Sequence, residues 1–129
     1  MTVKLTLKSF VAAASIAVLG FTAPLAAAAT AADGMWLRTK SGGEVEVFEC
    51  EGGLGMKVTK SDTPEKVGKQ IMCGAEADGE NKWRGDILNL DDGKTYTGIV
   101  TLDDADNLTL EGCVLGGLIC KEEAWTRIK

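Results

Sequence analysis

Apolar and polar residues change places at every second position along much of this chain. Glu44-Val45-Glu46-Val47 alternates strictly, Leu54 to Thr59 repeats through Met56 and Val58, and Tyr96, Val100 and Leu102 share one parity. A period of two sends successive side chains to opposite faces, which is the mark of a half-buried β-strand. Trp83 to Ile87, Leu108-Thr109-Leu110 and Ala124 to Ile128 read as further strands. Clusters suited to tight turns, Asp91-Asp92-Gly93 and Asp103 to Asn107, separate them. No stretch beyond residue 32 sustains the 3.6-residue apolar period of an amphipathic helix. The pattern therefore predicts about seven or eight short antiparallel strands. Between Lys60 and Asp78, which includes Pro64, the alternation lapses, and a loop or short helical turn fits the residues as well as a strand does.

Near the end of the chain Cys113 and Cys120 stand symmetrically about Gly116-Gly117. Gly-Gly accepts the positive φ angles of a two-residue primed turn, so a hairpin is expected in which Leu115 faces Leu118, Val114 faces Ile119 and Cys113 faces Cys120. Four cysteines allow three pairings. The hairpin symmetry favours Cys113 with Cys120, which leaves Cys50 with Cys73. No Cys-x-x-Cys motif is present to support a thioredoxin-like redox role.

Residues 1 to 32 read as a secretory signal peptide. Lys4 and Lys8 precede an apolar stretch from Phe10 to about Leu25, and Ala26 to Ala29 offer Ala-x-Ala cleavage sites. Thr22 and Pro24 interrupt that stretch and no stop-transfer charges follow, so stable membrane insertion is not expected. Export to the periplasm or the medium also suits paired cysteines. The remaining domain, 33–129, carries 12 basic against 19 acidic residues, a formal charge of −7. Nucleic acid needs a cationic footprint, so it is excluded as a partner. A domain of about 97 residues is small enough for two disulfides to matter to its stability.

The sequence offers little for catalysis. With no histidine in the chain, the commonest general base and the usual zinc ligand are missing. The acidic pairs Glu122-Glu123 and Asp91-Asp92 are the remaining acid–base candidates, but neighbouring strand residues face opposite ways and turn carboxylates stay solvated. Asn89 to Gly93 and Asp103 to Asn107 are oxygen-rich, yet neither has the spacing or distal Glu of an EF-hand loop, and they read as turns. No enzyme activity, cofactor or metal is expected.

Antiparallel strands at 8 to 12 residue spacing suggest a sandwich or a closed up-and-down barrel, and closure has the advantage of removing vulnerable strand edges. Gly34-Met35-Trp36 on the first strand and Trp125-Thr126-Arg127 on the last resemble the lipocalin and wider calycin arrangement, in which an Arg from the last strand packs near the first-strand Trp. That resemblance implies structural roles for Gly34, Trp36, Trp125 and Arg127. The fold expected is all-β: a small antiparallel up-and-down, lipocalin-like barrel with two disulfides. A broader resemblance runs through Gly34-x-Trp36, Trp83-x-Gly85-x-Ile87, Asp92-Gly93-Lys94-Thr95-Tyr96, Leu108-x-Leu110-x-Gly112-Cys113 and Trp125-Thr126-Arg127. In that order the motifs resemble a bacterial family of small exported proteins catalogued as domain of unknown function 2147. The family implies a lipocalin-like barrel and brings no agreed activity. This chain departs from it in being short between Gly55 and Trp83, and in having Gly55 where members often carry a second cysteine.

Two functional expectations follow. In one, Tyr96 with Trp83 and Trp36 lines a barrel mouth that grips a small apolar ligand. In the other, a monomeric barrel with a filled interior serves as an envelope structural protein or binds a periplasmic protein. A lysozyme or protease inhibitor is one form of the second, since an acidic surface would steer toward a cationic enzyme and Asp92 to Tyr96 loosely resembles the Ser-Gly-x-x-Tyr loop of lysozyme inhibitors. The volume of the barrel interior separates the two.

Overall fold

A computed structural model describes residues 30–129, and the leader read in residues 1 to 29 lies outside them. Eight strands follow one another around a closed antiparallel barrel: β1 (Gly34–Arg38), β2 (Glu44–Cys50), β3 (Gly53–Lys60), β4 (Gln70–Ala77), β5 (Lys82–Leu88), β6 (Thr95–Asp104), β7 (Asn107–Val114) and β8 (Ile119–Arg127). Closure is made by Trp36 opposite Arg127, Leu37 opposite Thr126 and Arg38 opposite Trp125, which leaves no free sheet edge. The up-and-down barrel expected from the lipocalin-like resemblance is the architecture found. The inward parity set forms the core: Val45 and Val47, Leu54 and Met56, Val100 and Leu102, Leu108 and Leu110, joined by Trp36, Trp83 and Trp125.

The lapse between Lys60 and Asp78 resolves into a 3-10 turn at Pro64–Lys66 and then β4. The strand hid because its two buried residues, Met72 and Ala75, stand three positions apart. Its register against β3 shifts twice, between Leu54 and Met56 and between Met56 and Lys57, and Gly74 takes φ +78°. A bulge inserts an extra residue and reverses the parity that the eye follows. Across from it, Gly85 leaves room for Ala75, since a Cβ there would lie 2.8 Å from the Ala75 Cα.

Both disulfides are formed as the hairpin symmetry favoured, Cys50–Cys73 and Cys113–Cys120. Cys50–Cys73 ties β2 to β4 across the intervening β3 and passes over Gly55. A Cβ at Gly55 would sit 2.5 Å from the Cys50 Cβ, so the staple and the glycine require each other. Cys113 faces Cys120 and Val114 faces Ile119 in the β7–β8 ladder. The turn between them differs from the two-residue form expected. Leu115 to Leu118 make a four-residue loop containing a 3-10 turn, the Leu118 N–H donates to the Leu115 carbonyl, and Leu115, Gly116 and Gly117 all have positive φ. Gly-Gly permits a primed turn without imposing it. Here the loop instead brings Gly117 against the Arg84 guanidinium, where a Cβ would be 3.1 Å from Nη2.

The folded unit also begins earlier than Asp33. The Thr30 hydroxyl accepts from the Ala32 N–H and donates to the Asp33 carboxylate, the Asp33 N–H donates to the Thr30 carbonyl, and Ala32 is fully buried.

Candidate functional site

The two ends of the barrel are built differently. At the end where β1 begins and β8 finishes, Trp36 is wholly buried and its indole N–H donates to the Ala32 carbonyl at 2.8 Å. The Arg127 guanidinium lies over the ring, 4.4 Å from its centroid. Its nitrogens donate to three backbone carbonyls, Ala105 at 2.7 Å, Asp33 at 2.9 Å and Ala31 at 2.6 Å. One side chain thus gathers the incoming segment, the β6–β7 turn and the last strand. Gly34, at φ +138°, runs against this cluster: a Cβ would be 2.6 Å from the Lys129 carbonyl oxygen and 2.7 Å from Arg127 Nη1. This end is sealed.

The opposite end opens into a cup of about 760 Å³. That volume lies within the range of small-ligand sites, about 300–1,000 Å³. Its apolar surface comes from Val58, Ile71, Ile87, Leu110 and Trp125, one residue from each of five strands, and Val114 and Ile119 extend it up the β7–β8 hairpin. Gly112 also lines the cup, and a Cβ there would meet nothing within 4 Å, so its missing side chain leaves open space. Tyr96 stands at the rim, its hydroxyl donating to the Asp92 carboxylate.

One ion pair is built into the cup wall. Arg38 Nε and Nη2 donate to the two Glu123 oxygens at 2.7 and 3.0 Å, and the Trp125 indole N–H donates to the same carboxylate at 2.6 Å. Burial by itself would raise the Glu123 pKa. The hydrogen bonds from Arg38 and Trp125, with the charges of Arg38 and Lys40, outweigh it and hold the carboxyl below its ordinary value. Arg38 is shifted upward, chiefly by its hydrogen bond to Glu123. Glu123 is thereby saturated, while Arg38 Nη1 has no hydrogen-bond acceptor among the described residues. Lys121 also lines the cup and has no ion-pair partner among them.

Of the three aromatic residues expected at the mouth, only Tyr96 lines the cup. Trp36 belongs to the sealed end, and Trp83 is buried in the core near the start of β5. Trp125 provides the ring that the cup contains. Glu123 was weighed in the sequence only as half of an acidic pair and Arg38 not at all, although a signal for the ion pair existed: Arg38 shares the parity of Trp36, and Glu123 that of Trp125, so both were inward-facing charges. The acidic runs are occupied in their own turns. Asn89 Oδ1 accepts from the Asp91 N–H and Asp92 Oδ1 from that of Lys94, while Asp104 accepts from the Asp106 N–H and the Asn107 amide. Asp92, hydrogen-bonded by Tyr96 and the Lys94 amide, and Asp104, bonded by the Asp106 amide and Asn107, are both shifted toward the ionised form. Among the described residues, the one cluster of three conceivable metal ligands is Glu111 with Cys113 and Cys120, and its sulfurs are bonded to each other.

No curated protein and no solved structure matches the chain. Residues 34–127 match a bacterial family described as "Uncharacterized protein conserved in bacteria (DUF2147)". The match runs from the glycine of the sealed end through every strand to the arginine that closes the barrel, and the chain belongs to that family.

Proposed function

We propose that this protein is an exported, non-catalytic barrel that holds a small apolar ligand in its open end. The observation that carries the reading is the cup itself: about 760 Å³ of space above a densely filled lower core, with apolar side chains from five strands, the Arg38–Glu123 ion pair in its wall and further charged groups around it. Ligand sites of this kind are concave and mainly apolar, with a few polar groups that set orientation. The sealed end supports the same reading, because it confines entry to one mouth. Export is proposed from the leader and accords with the two disulfides.

Trp125 lies in the cup and reports its occupancy. Titration with fatty acids of increasing chain length is expected to give a saturable change in tryptophan fluorescence. Gly112→Phe, which places a ring in the open space, is expected to weaken that binding roughly tenfold or more while leaving the melting temperature near that of the parent. A flat response to fatty acids, sterols and phospholipids alike, coupled with salt-sensitive inhibition of lysozyme, would transfer support to a protein-binding role.

A further inference from the structure

The β7–β8 hairpin tip is apolar and exposed, and nothing in the ligand-binding role described above requires it to be. From Val114 to Cys120 there is no charged residue. Leu118 is 83 % exposed, Leu115 68 %, Ile119 57 % and Val114 39 %, and they account for four of the six large apolar side chains exposed among the described residues. The loop is also held in this shape: Cys113–Cys120 clamps its base, and Leu115 adopts a left-handed φ of +55°, unusual for a leucine. A contiguous exposed apolar patch on a soluble domain marks an interaction site.

We infer that this tip docks on the surface of a lipid bilayer, and that the cup receives a single-chain anionic amphiphile from it. The inference rests on the cup being a ligand site. Three observations select the bilayer as the occupant. Val114 and Ile119 belong both to the exposed tip and to the cup lining, so an acyl chain passes from membrane to barrel along one apolar surface without crossing water. The patch is small: its four side chains expose roughly 400 Å², about half of the ~800 Å² per partner that a stable protein interface buries. Although the domain is acidic, Arg84, a cation without an ion-pair partner among the described residues, lies beneath Gly117 at the tip. A cation beside an apolar wedge suits an anionic headgroup region. Inside the cup, the unpaired Nη1 edge of Arg38 and the ammonium of Lys121 are donors matched to a carboxylate or phosphate head.

The test is flotation of the purified protein with vesicles of phosphatidylethanolamine and phosphatidylglycerol, alongside transfer of a fluorescent fatty acid from those vesicles. The double variant Leu115→Ser with Leu118→Ser is expected to lose vesicle affinity at least about tenfold and to slow transfer in proportion, while binding the same fatty acid from water as the parent does. The protein is purified after export, without residues 1–29, so the apolar stretch of that segment contributes nothing to flotation. Gly112→Phe is expected to do the reverse, floating normally but taking up little fatty acid. Equal flotation of parent and double variant overturns the docking, as does a parent that does not float. A dimer in sedimentation that the double variant dissolves would assign the tip to a second copy and also overturn it. If the parent floats through Leu115 and Leu118 but binds no fatty acid from water, the docking stands and the cup reading fails.

Discussion

At the scale of single residues, the sealed end depends on one guanidinium. Arg127 satisfies three carbonyls from three separate parts of the chain and covers the Trp36 ring, so its removal leaves acceptors without donors at several places at once. Arg127→Ala is expected to cost about 2–3 kcal/mol in urea unfolding. Arg127→Lys, which keeps the charge but not the fork, is expected to recover little of it. Loss below about 0.5 kcal/mol would show that the carbonyls are equally well served by water. Glu123 makes a prediction in pH. Its folded pKa is depressed, so its stabilising contribution is present at neutral pH and is lost as pH falls through the folded value. Glu123→Gln should therefore be less stable than the parent at pH 7 and lose stability less steeply between about pH 5 and pH 2. Parallel acid limbs for the two proteins would mean that Glu123 gains nothing from Arg38 and Trp125.

At the scale of elements, the strands were legible wherever alternation was unbroken, and β4 shows what hides one. Met72 and Ala75 both face the core, but the bulge at Gly74 separates them by an odd count, and period-two reading fails at that point although the strand pairs with β3 on one side and, at Glu76 and Ala77, with β5 on the other. The same kind of limit explains the hairpin. Facing cysteines could be inferred from symmetry, whereas the four-residue loop depends on where Gly117 meets Arg84, a residue two strands away. The disulfides act at this scale too. Cys50–Cys73 spans a sequence separation of 23 and skips over β3, and loop-closure entropy puts its contribution at about 3 kcal/mol. Replacing Cys50 and Cys73 with alanine is expected to lower the melting temperature by roughly 15 °C, and reductant, which also opens Cys113–Cys120, should lower that of the parent by at least as much. Gly55→Ala in the disulfide-bonded protein is expected to be destabilising because of its contact with Cys50, and to be milder once that disulfide is removed.

At the scale of the whole molecule, the barrel is asymmetric along its axis: packed and capped at one end, hollow at the other. The cap includes Thr30 to Ala32, residues whose alanine-rich composition merges with that of the leader. A chain lacking Thr30–Ala32 would lose the carbonyls that meet Trp36 and Arg127, and its melting temperature is expected to drop by at least several degrees. If residues 1–29 are cut on export, as proposed, mass spectrometry of the processed protein should find its first residue no later than Thr30. The sequence by itself determined that the chain forms short antiparallel strands and which side of most strands faces inward, because alternation is written in residues at fixed local spacing, and the symmetry of the last hairpin favoured one of three cysteine pairings. Only the tertiary structure decided which end is open. Alternation records the face on which a side chain lies but not its depth along the barrel axis, so Trp36 and Tyr96, alike in parity and in aromatic character, fall at opposite ends. The ion pair in the cup wall joins residues 85 positions apart, and such a contact exists only once the sheet has closed.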